Sequence, residues 1–144
     1  MISIDEYILT QVTRDVCETM LGAALSDAVL ETDVGPRLAA SVRITGEADW
    51  TVEIETVPEV ARHIASLMFS LAPAEVNESE LRDALGEVVN MIGGNIKGIF
   101  CGESDLSIPR VEDRINSDLM NSTIATSIRL SYSGMPFVIR LLTV

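Results

Sequence analysis

Apolar residues recur at helical spacing through a long stretch of the chain, from Glu78 to Gly98. They fall at steps of three and four, which is the period of a helix that buries one side. Asn77 is followed three residues later by Glu80, a capping-box pattern, so the sequence predicts that a helix begins there. The predicted core face consists of Leu81, Leu85, Val88, Met91, Ile92, Ile96 and Ile99.

The opposite face of this predicted helix carries no apolar side chain. Glu87 and Asn90 stand three residues apart on it, so their side chains leave the helix one turn apart and can act on one group outside the protein. A merely solvated helix face is the alternative interpretation. The whole stripe is Glu80, Asp83, Glu87, Asn90, Gly94 and Lys97.

Three glycines, Gly86, Gly93 and Gly94, interrupt the same helix. Each costs about 1 kcal/mol relative to alanine inside a helix, and a solvated face has no use for that loss. A missing side chain lets another backbone come close. The glycines therefore indicate either the approach of a partner protein or the packing of a neighbouring helix of the same fold.

Elsewhere the chain changes between helical spacing and strand alternation. Asp33-Val34-Gly35-Pro36 is a breaker cluster that separates a first helix from a first hairpin. No linker divides the chain, so we expect one domain over residues 1–144. The predicted elements are a helix over 4–26, a hairpin of strands 39–45 and 50–56, a helix over 58–71, the long helix, strands at 99–101 and 106–111, a loop or short helix over 114–122, and a closing hairpin of strands 124–132 and 137–143.

A faint internal repeat relates the first helix to the long one. Val16 to Ala23 lines up with Glu87 to Gly94, which puts Val16 and Thr19 at the places of Glu87 and Asn90. Neither side chain can do the same chemistry, so only the half that contains Glu87 and Asn90 would be active. The sequence thus predicts an α+β fold with three main helices packed on a largely antiparallel sheet, in two pseudo-symmetric halves.

The composition excludes several classes of partner. A formal net charge of −12 and a pI near 4.3 disfavour nucleic acid and acidic membrane surfaces, because both need a basic patch. The N-terminal residues lack a basic segment followed by an apolar run, and no stretch reaches the roughly 18 apolar residues of a membrane span. We expect a cytoplasmic protein.

Few residues are suited to metal, triad or thiolate chemistry. His63 is the single histidine, and Cys17 and Cys101 are too far apart in sequence to form a CxxC motif. Cys101 has no neighbouring basic residue to lower its pKa. We expect free thiols and no metal site.

The stretch Glu87-Val88-Val89-Asn90-Met91-Ile92-Gly93-Gly94-Asn95 resembles the CheX members of the CheC/CheX/FliY phosphatases, which act on phosphorylated CheY-type response regulators. The run from Asp83 to Glu87, the run from Leu106 to Pro109 and the order of elements extend the similarity over nearly the whole chain. CheC and FliY members typically bear two Glu-x-x-Asn motifs. This chain has one, which is the CheX pattern.

The resemblance implies a homodimeric protein phosphatase that hydrolyses the aspartyl phosphate of a CheY-like receiver. Asn90 would orient the attacking water and Glu87 would pair with the receiver's lysine. Mg²⁺ would come from the receiver, and the protein would need no cofactor of its own. By position alone, Glu80 and Asp83 are expected to reach basic groups of the partner, and Gly94 to let the helix lie close to it. The alternative is a non-catalytic adaptor for a phosphorylated receiver or a flagellar switch component.

Overall fold

The computed structural model describes residues 4–22, 24–27, 35–47, 49–100, 102–114 and 123–143. Within these ranges, three helices pack on one seven-stranded antiparallel sheet, so the predicted α+β class is confirmed. Both predicted hairpins and all three predicted helices are present. The elements are α1 (Glu6–Leu21), β1 (Ser26–Asp27), β2 (Arg37–Gly46), β3 (Trp50–Thr56), α2 (Pro58–Phe69), a 3₁₀ turn (Pro73–Glu75), α3 (Glu78–Phe100), β4 (Ser104–Leu106), β5 (Arg110–Arg114), β6 (Thr123–Tyr132) and β7 (Met135–Thr143).

The sheet is organised about its central pair, β3 and β7, where Ile54 lies opposite Ile139. The remaining strands follow the order β1-β6-β7-β3-β2-β4, and β5 also pairs with β2. The strand after α1 thus joins the second hairpin, and the strands after α3 join the first hairpin. This exchange relates the two halves by an approximate twofold axis between β3 and β7, as the repeat predicts.

The register predicted for the repeat is wrong by one residue. Val16 is buried, whereas Glu87 is exposed, so the two positions face different ways. The exposed positions of α1 that answer to Glu87 and Asn90 are Asp15 and Glu18. Neither is an amide, so α3 alone carries the motif. The burial pattern matches Leu9, Val12, Thr13, Val16 and Cys17 with Leu81, Ala84, Leu85, Val88 and Val89.

Helix α1 ends earlier than its apolar spacing predicts. Gly22 adopts a left-handed conformation with φ of 61°, and its N–H donates to the carbonyl oxygens of Cys17 and Glu18. This is the usual geometry of a glycine C-cap. The helix therefore stops at Leu21 rather than near residue 26, and Ser26 and Asp27 form β1. None of the described helices combines the length and hydropathy that a bilayer-spanning segment requires.

Helix α3 begins as predicted and ends later. The backbone N–H of Glu80 donates to Asn77 Oδ1 over 2.8 Å, and that of Asn77 donates to Glu80 Oε1 over 2.9 Å, which completes the capping box. The helix continues to Phe100, so the strand predicted at 99–101 is wrong for its first two residues, and residue 101 lies outside the described part of the chain. Ile99 is 60% exposed, because the last turn extends beyond the packed part of the helix.

The sheet face opposite the helices holds a buried cluster of charges. Glu53 and Glu55 are 3% and 1% exposed, and Arg140 Nη1 donates to both, over 2.9 and 3.2 Å. Arg114 donates to the same two carboxylates, and Arg37 donates to Glu55 over 2.9 Å. Burial alone raises the pKa of Glu55, but the charge and hydrogen bond of Arg140, with the hydrogen bonds of Arg37 and Arg114, outweigh it and hold that pKa below its usual range. We name these five residues the arginine–glutamate cluster.

Candidate functional site

Helix α3 is held on the sheet by one fully buried face. It packs against α2 and β2, and Met91 at the edge of that face is only partly buried. A helix with this much apolar contact is a rigid support for the side chains on its other face. The residues of the buried face are Leu81, Ala84, Leu85, Val88, Val89, Ile92 and Ile96, none more than 1% exposed.

Glu87 and Asn90 lie one turn apart on the other face of α3. The side chain of Glu87 is exposed, and Asn90 is partly exposed. Neither side chain forms a hydrogen bond or ion pair with any other residue in the part of the chain that the structure describes. An amide and a carboxylate are therefore both available to a partner at one place.

The other predicted partner-binding residues lie along the same face. Asp83 is exposed one turn before Glu87 and has no ion-pair partner among the described residues. Glu80 is partly exposed, and its carboxylate accepts the N–H of Asn77, so it caps the helix. Gly94 is partly exposed one turn beyond Asn90. The structure thus brings Asp83, Glu87 and Asn90 together on one face of α3. Glu80 and Gly94 lie on either side of these three residues, one turn before Asp83 and one turn after Asn90.

Gly86 and Gly93 face the strands and the connection between β4 and β5 rather than another helix. A Cβ on Gly86 would lie 3.3 Å from the Pro109 side chain, and one on Gly93 would lie 2.5 Å from Val42 Cγ2. The close approach that these two glycines allow is therefore between α3 and the sheet, and the neighbouring helix expected for them is wrong. Gly94 differs, since among the described residues its Cβ would meet only Leu106, at 4.0 Å.

Gly93→Ala is expected to destabilise the protein by about 1–3 kcal/mol, because the new methyl overlaps a β-branched side chain that is fixed in a central strand. Gly98→Ala is the matched control on the same helix, since no described residue has an atom within 4 Å of its Cβ position. The control is expected to raise the free energy of unfolding by up to about 1 kcal/mol through helix propensity. Urea unfolding of both variants measures the difference. Equal stability of the two variants would contradict this packing.

A groove of about 430 Å³ opens beside Glu87, between α3 and the connection from β4 to β5. The strand predicted over 106–111 is split here, because Pro109 has no N–H to donate to a neighbouring strand. The two short strands on either side of it, β4 and β5, both pair with β2. We name this feature the α3–β5 groove. It is lined by Arg82, Asp83, Gly86, Glu87, Pro109 and Val111.

Arg82 spans the groove from helix to strand. Its Nε donates to Glu78 Oε1 over 3.0 Å and its Nη2 donates to Asp113 Oδ1 over 2.7 Å. The hydrogen bond to Glu78 is the main cause that raises the pKa of Arg82, and Asp113 adds to it. The guanidinium is therefore engaged by two carboxylates. Sequence reasoning missed this residue, because its partner on β5 is distant in sequence.

Cys17 offers no alternative nucleophile. It is buried in α1, and burial, with a smaller effect of the Glu18 charge, raises the pKa of its thiol to about 12. The thiol therefore stays protonated at neutral pH. No group of three or more histidine, cysteine or acidic residues suited to a metal ion occurs among the described residues.

The sequence profile of the family described as chemotaxis phosphatase CheX matches residues 38–129. The matched segment contains all of α3, with Glu87 and Asn90. No curated protein matches the chain in sequence.

Several solved structures share the fold. CheX from Vibrio vulnificus superposes with a TM-score of 0.72 at 19% identity, covering 92% of this chain and 94% of the other. CheX from Desulfovibrio desulfuricans gives 0.72 at 19% identity, with 94% and 96% covered. The CheX–CheY–BeF3–Mg²⁺ complex from Borrelia burgdorferi gives 0.63 at 16% identity, with 94% of each chain covered.

Proposed function

We propose that this chain, which belongs to the CheX family of chemotaxis phosphatases, hydrolyses the aspartyl phosphate of a CheY-like response regulator. The observation that carries the proposal is the pair Glu87 and Asn90, one turn apart on the exposed face of a rigidly packed helix and without partners among the described residues. A CheX of the same fold forms a complex with CheY, BeF3 and Mg²⁺, which supports the choice of partner.

Asn90 is proposed to aim the attacking water. The phosphoryl group on a receiver is already held by the receiver's own Mg²⁺ and lysine, and a water in line with the leaving carboxylate oxygen is what it lacks. An amide can donate and accept hydrogen bonds with that water, but it is too weak a base to deprotonate it. The water oxygen bonds to phosphorus, the bond to the aspartate oxygen breaks to leave a carboxylate, and both hydrogens of the water leave with inorganic phosphate as H2PO4−.

Glu87 is proposed to fix the register of α3 against the receiver by pairing with its lysine. Asp83 and Glu80 would meet basic groups farther along the interface, and Gly94 would let the helix lie close to the partner. The protein would bring no cofactor of its own, and the acting form would be a homodimer in the cytoplasm. The chemistry then needs one amide and one carboxylate from this chain.

The decisive experiment mixes the wild-type protein with a phosphorylated CheY-like receiver and Mg²⁺ and follows phosphate release. The expected result is a rate above that of the receiver alone, rising with the concentration of this protein and saturating. Binding to the phosphorylated receiver without faster release would favour the adaptor function instead. Absence of both binding and acceleration would refute the proposed partner.

Glu87→Ala is expected to weaken receiver binding about tenfold and to slow phosphate release, because the receiver's lysine loses its counter-charge. Titration of the variant with phosphorylated receiver measures both effects. Asp15→Ala is the matched control, since Asp15 holds the corresponding exposed position on α1. A Glu87→Ala variant that binds and releases phosphate like the wild type would remove Glu87 from the interface.

A further inference from the structure

Ile108, at 83% exposed, is the most exposed large hydrophobic side chain in the described part of the chain. It lies in the connection from β4 to β5, yet its backbone is anchored on both sides. The N–H of Ser107 donates to the Arg43 carbonyl over 2.9 Å, and Ser107 Oγ accepts the N–H of Arg43 over 2.8 Å. On the other side, Pro109 lies against Gly86 of α3. An isoleucine is therefore held in water next to Pro109, which lines the α3–β5 groove.

The groove presents uncompensated negative charge. Asp83 and Glu87 are exposed and form no ion pair with any described residue. Among the described residues, the one cation that lines the groove is Arg82, which is engaged by Glu78 and Asp113. Arg110 alternates with the lining residue Val111 along β5 and so faces the other side of the sheet. The groove therefore fits a positively charged side chain.

We propose that the α3–β5 groove and Ile108 form a second docking surface for the phosphorylated receiver, which rests on the function proposed above. Glu87 lies on the exposed face of α3 beside Asn90 and also lines the groove. A receiver whose lysine pairs with Glu87 therefore covers the mouth of the groove. The part of the receiver that enters carries a basic side chain for Asp83 and an apolar side chain for Ile108.

The surface is tested by phosphate release at varied receiver concentration. Ile108→Asp is expected to raise the receiver concentration at half-maximal rate about tenfold, with little change in the maximal rate, because it removes an apolar contact from docking and leaves Asn90 in place. Ile124→Asp is the matched control. Ile124 is also an exposed isoleucine, but it lies on β6, near the opposite edge of the sheet from β4.

The charge of the groove is tested on the same assay with Asp83→Lys. This reversal is expected to raise the half-maximal receiver concentration and to weaken its dependence on ionic strength, because one attractive pair at the rim is lost. Asp15→Lys on α1 makes the same change of net charge at a site outside the groove. An equal effect of both variants would mean that only overall charge matters and would overturn the docking surface.

The outcomes separate this proposal from the one on which it rests. A wild-type protein that does not accelerate phosphate release overturns both proposals. Acceleration by the wild type together with Ile108→Asp kinetics identical to the wild type overturns the docking surface alone. Sedimentation velocity of the wild type and of the Ile108→Asp variant gives the remaining outcome. If the substitution dissociates a dimer into monomers, the surface joins two copies of this chain and the receiver-docking proposal fails.

Discussion

Asn90→Ala is expected to lose the acceleration of phosphate release, by about 100-fold or more, while the affinity for the phosphorylated receiver changes little. The reason is that the amide acts on a water in the transition state, whereas Glu87 and the surrounding surface hold the receiver. Single-turnover phosphate release at saturating concentrations measures the first quantity. Binding to a receiver carrying a stable phosphoryl mimic measures the second.

Two further variants make this result specific. Asn90→Gln keeps the amide but moves it by one methylene, and a displacement of about 1 Å is enough to lose most of the rate. Glu18→Ala, at the corresponding exposed position of α1, controls for the loss of a polar helix residue. Asn90→Ala also removes no hydrogen bond to any described residue, so the fold is expected to persist. A fully active Asn90→Ala variant would mean that another group aligns the water.

The placement of Glu87 and Asn90 was predictable because both of its determinants are local. Asn77 and Glu80 fix where α3 begins, and the helical period then fixes which positions face outward. Helix boundaries were less predictable, because apolar spacing alone does not tell that Gly22 stops α1. The repeat was misaligned by one residue, because a short match of residue types does not determine which helix positions face the core.

The α3–β5 groove was not predictable from the sequence. Its wall depends on Ser107 bonding to Arg43 and on Arg82 bonding to Asp113, and these partners are far apart in the chain. The alternation around Ile108 predicts a strand, and Pro109 suits the edge or end of a strand, but neither tells that the isoleucine is left exposed. Surface features built by two distant segments appear only when the fold brings those segments together.

The arginine–glutamate cluster shows the same dependence on pairing between strands, and it predicts a large effect on stability. Arg140→Met is expected to destabilise the protein by about 3–5 kcal/mol, because Glu53 and Glu55 stay buried after losing one of their arginine partners. Thermal unfolding measures this as a fall in Tm of about 10 °C or more. Arg43→Met is the control, since the Arg43–Asp49 pair is exposed, and its Tm is expected to change far less.

The pH dependence of the same variant distinguishes loss of charge pairing from loss of packing. Because the pKa of Glu55 is lower in the folded protein than its ordinary value of 4.5, the wild type gains stability from this group above that pH and loses it as the pH falls through the folded pKa. Without Arg140, the main favourable charge is gone and burial raises the pKa of Glu55. The difference in unfolding free energy between wild type and Arg140→Met should therefore shrink as the pH falls from neutral to below 4.5. A difference that stays constant over this range would show that the arginine acts through its aliphatic packing instead.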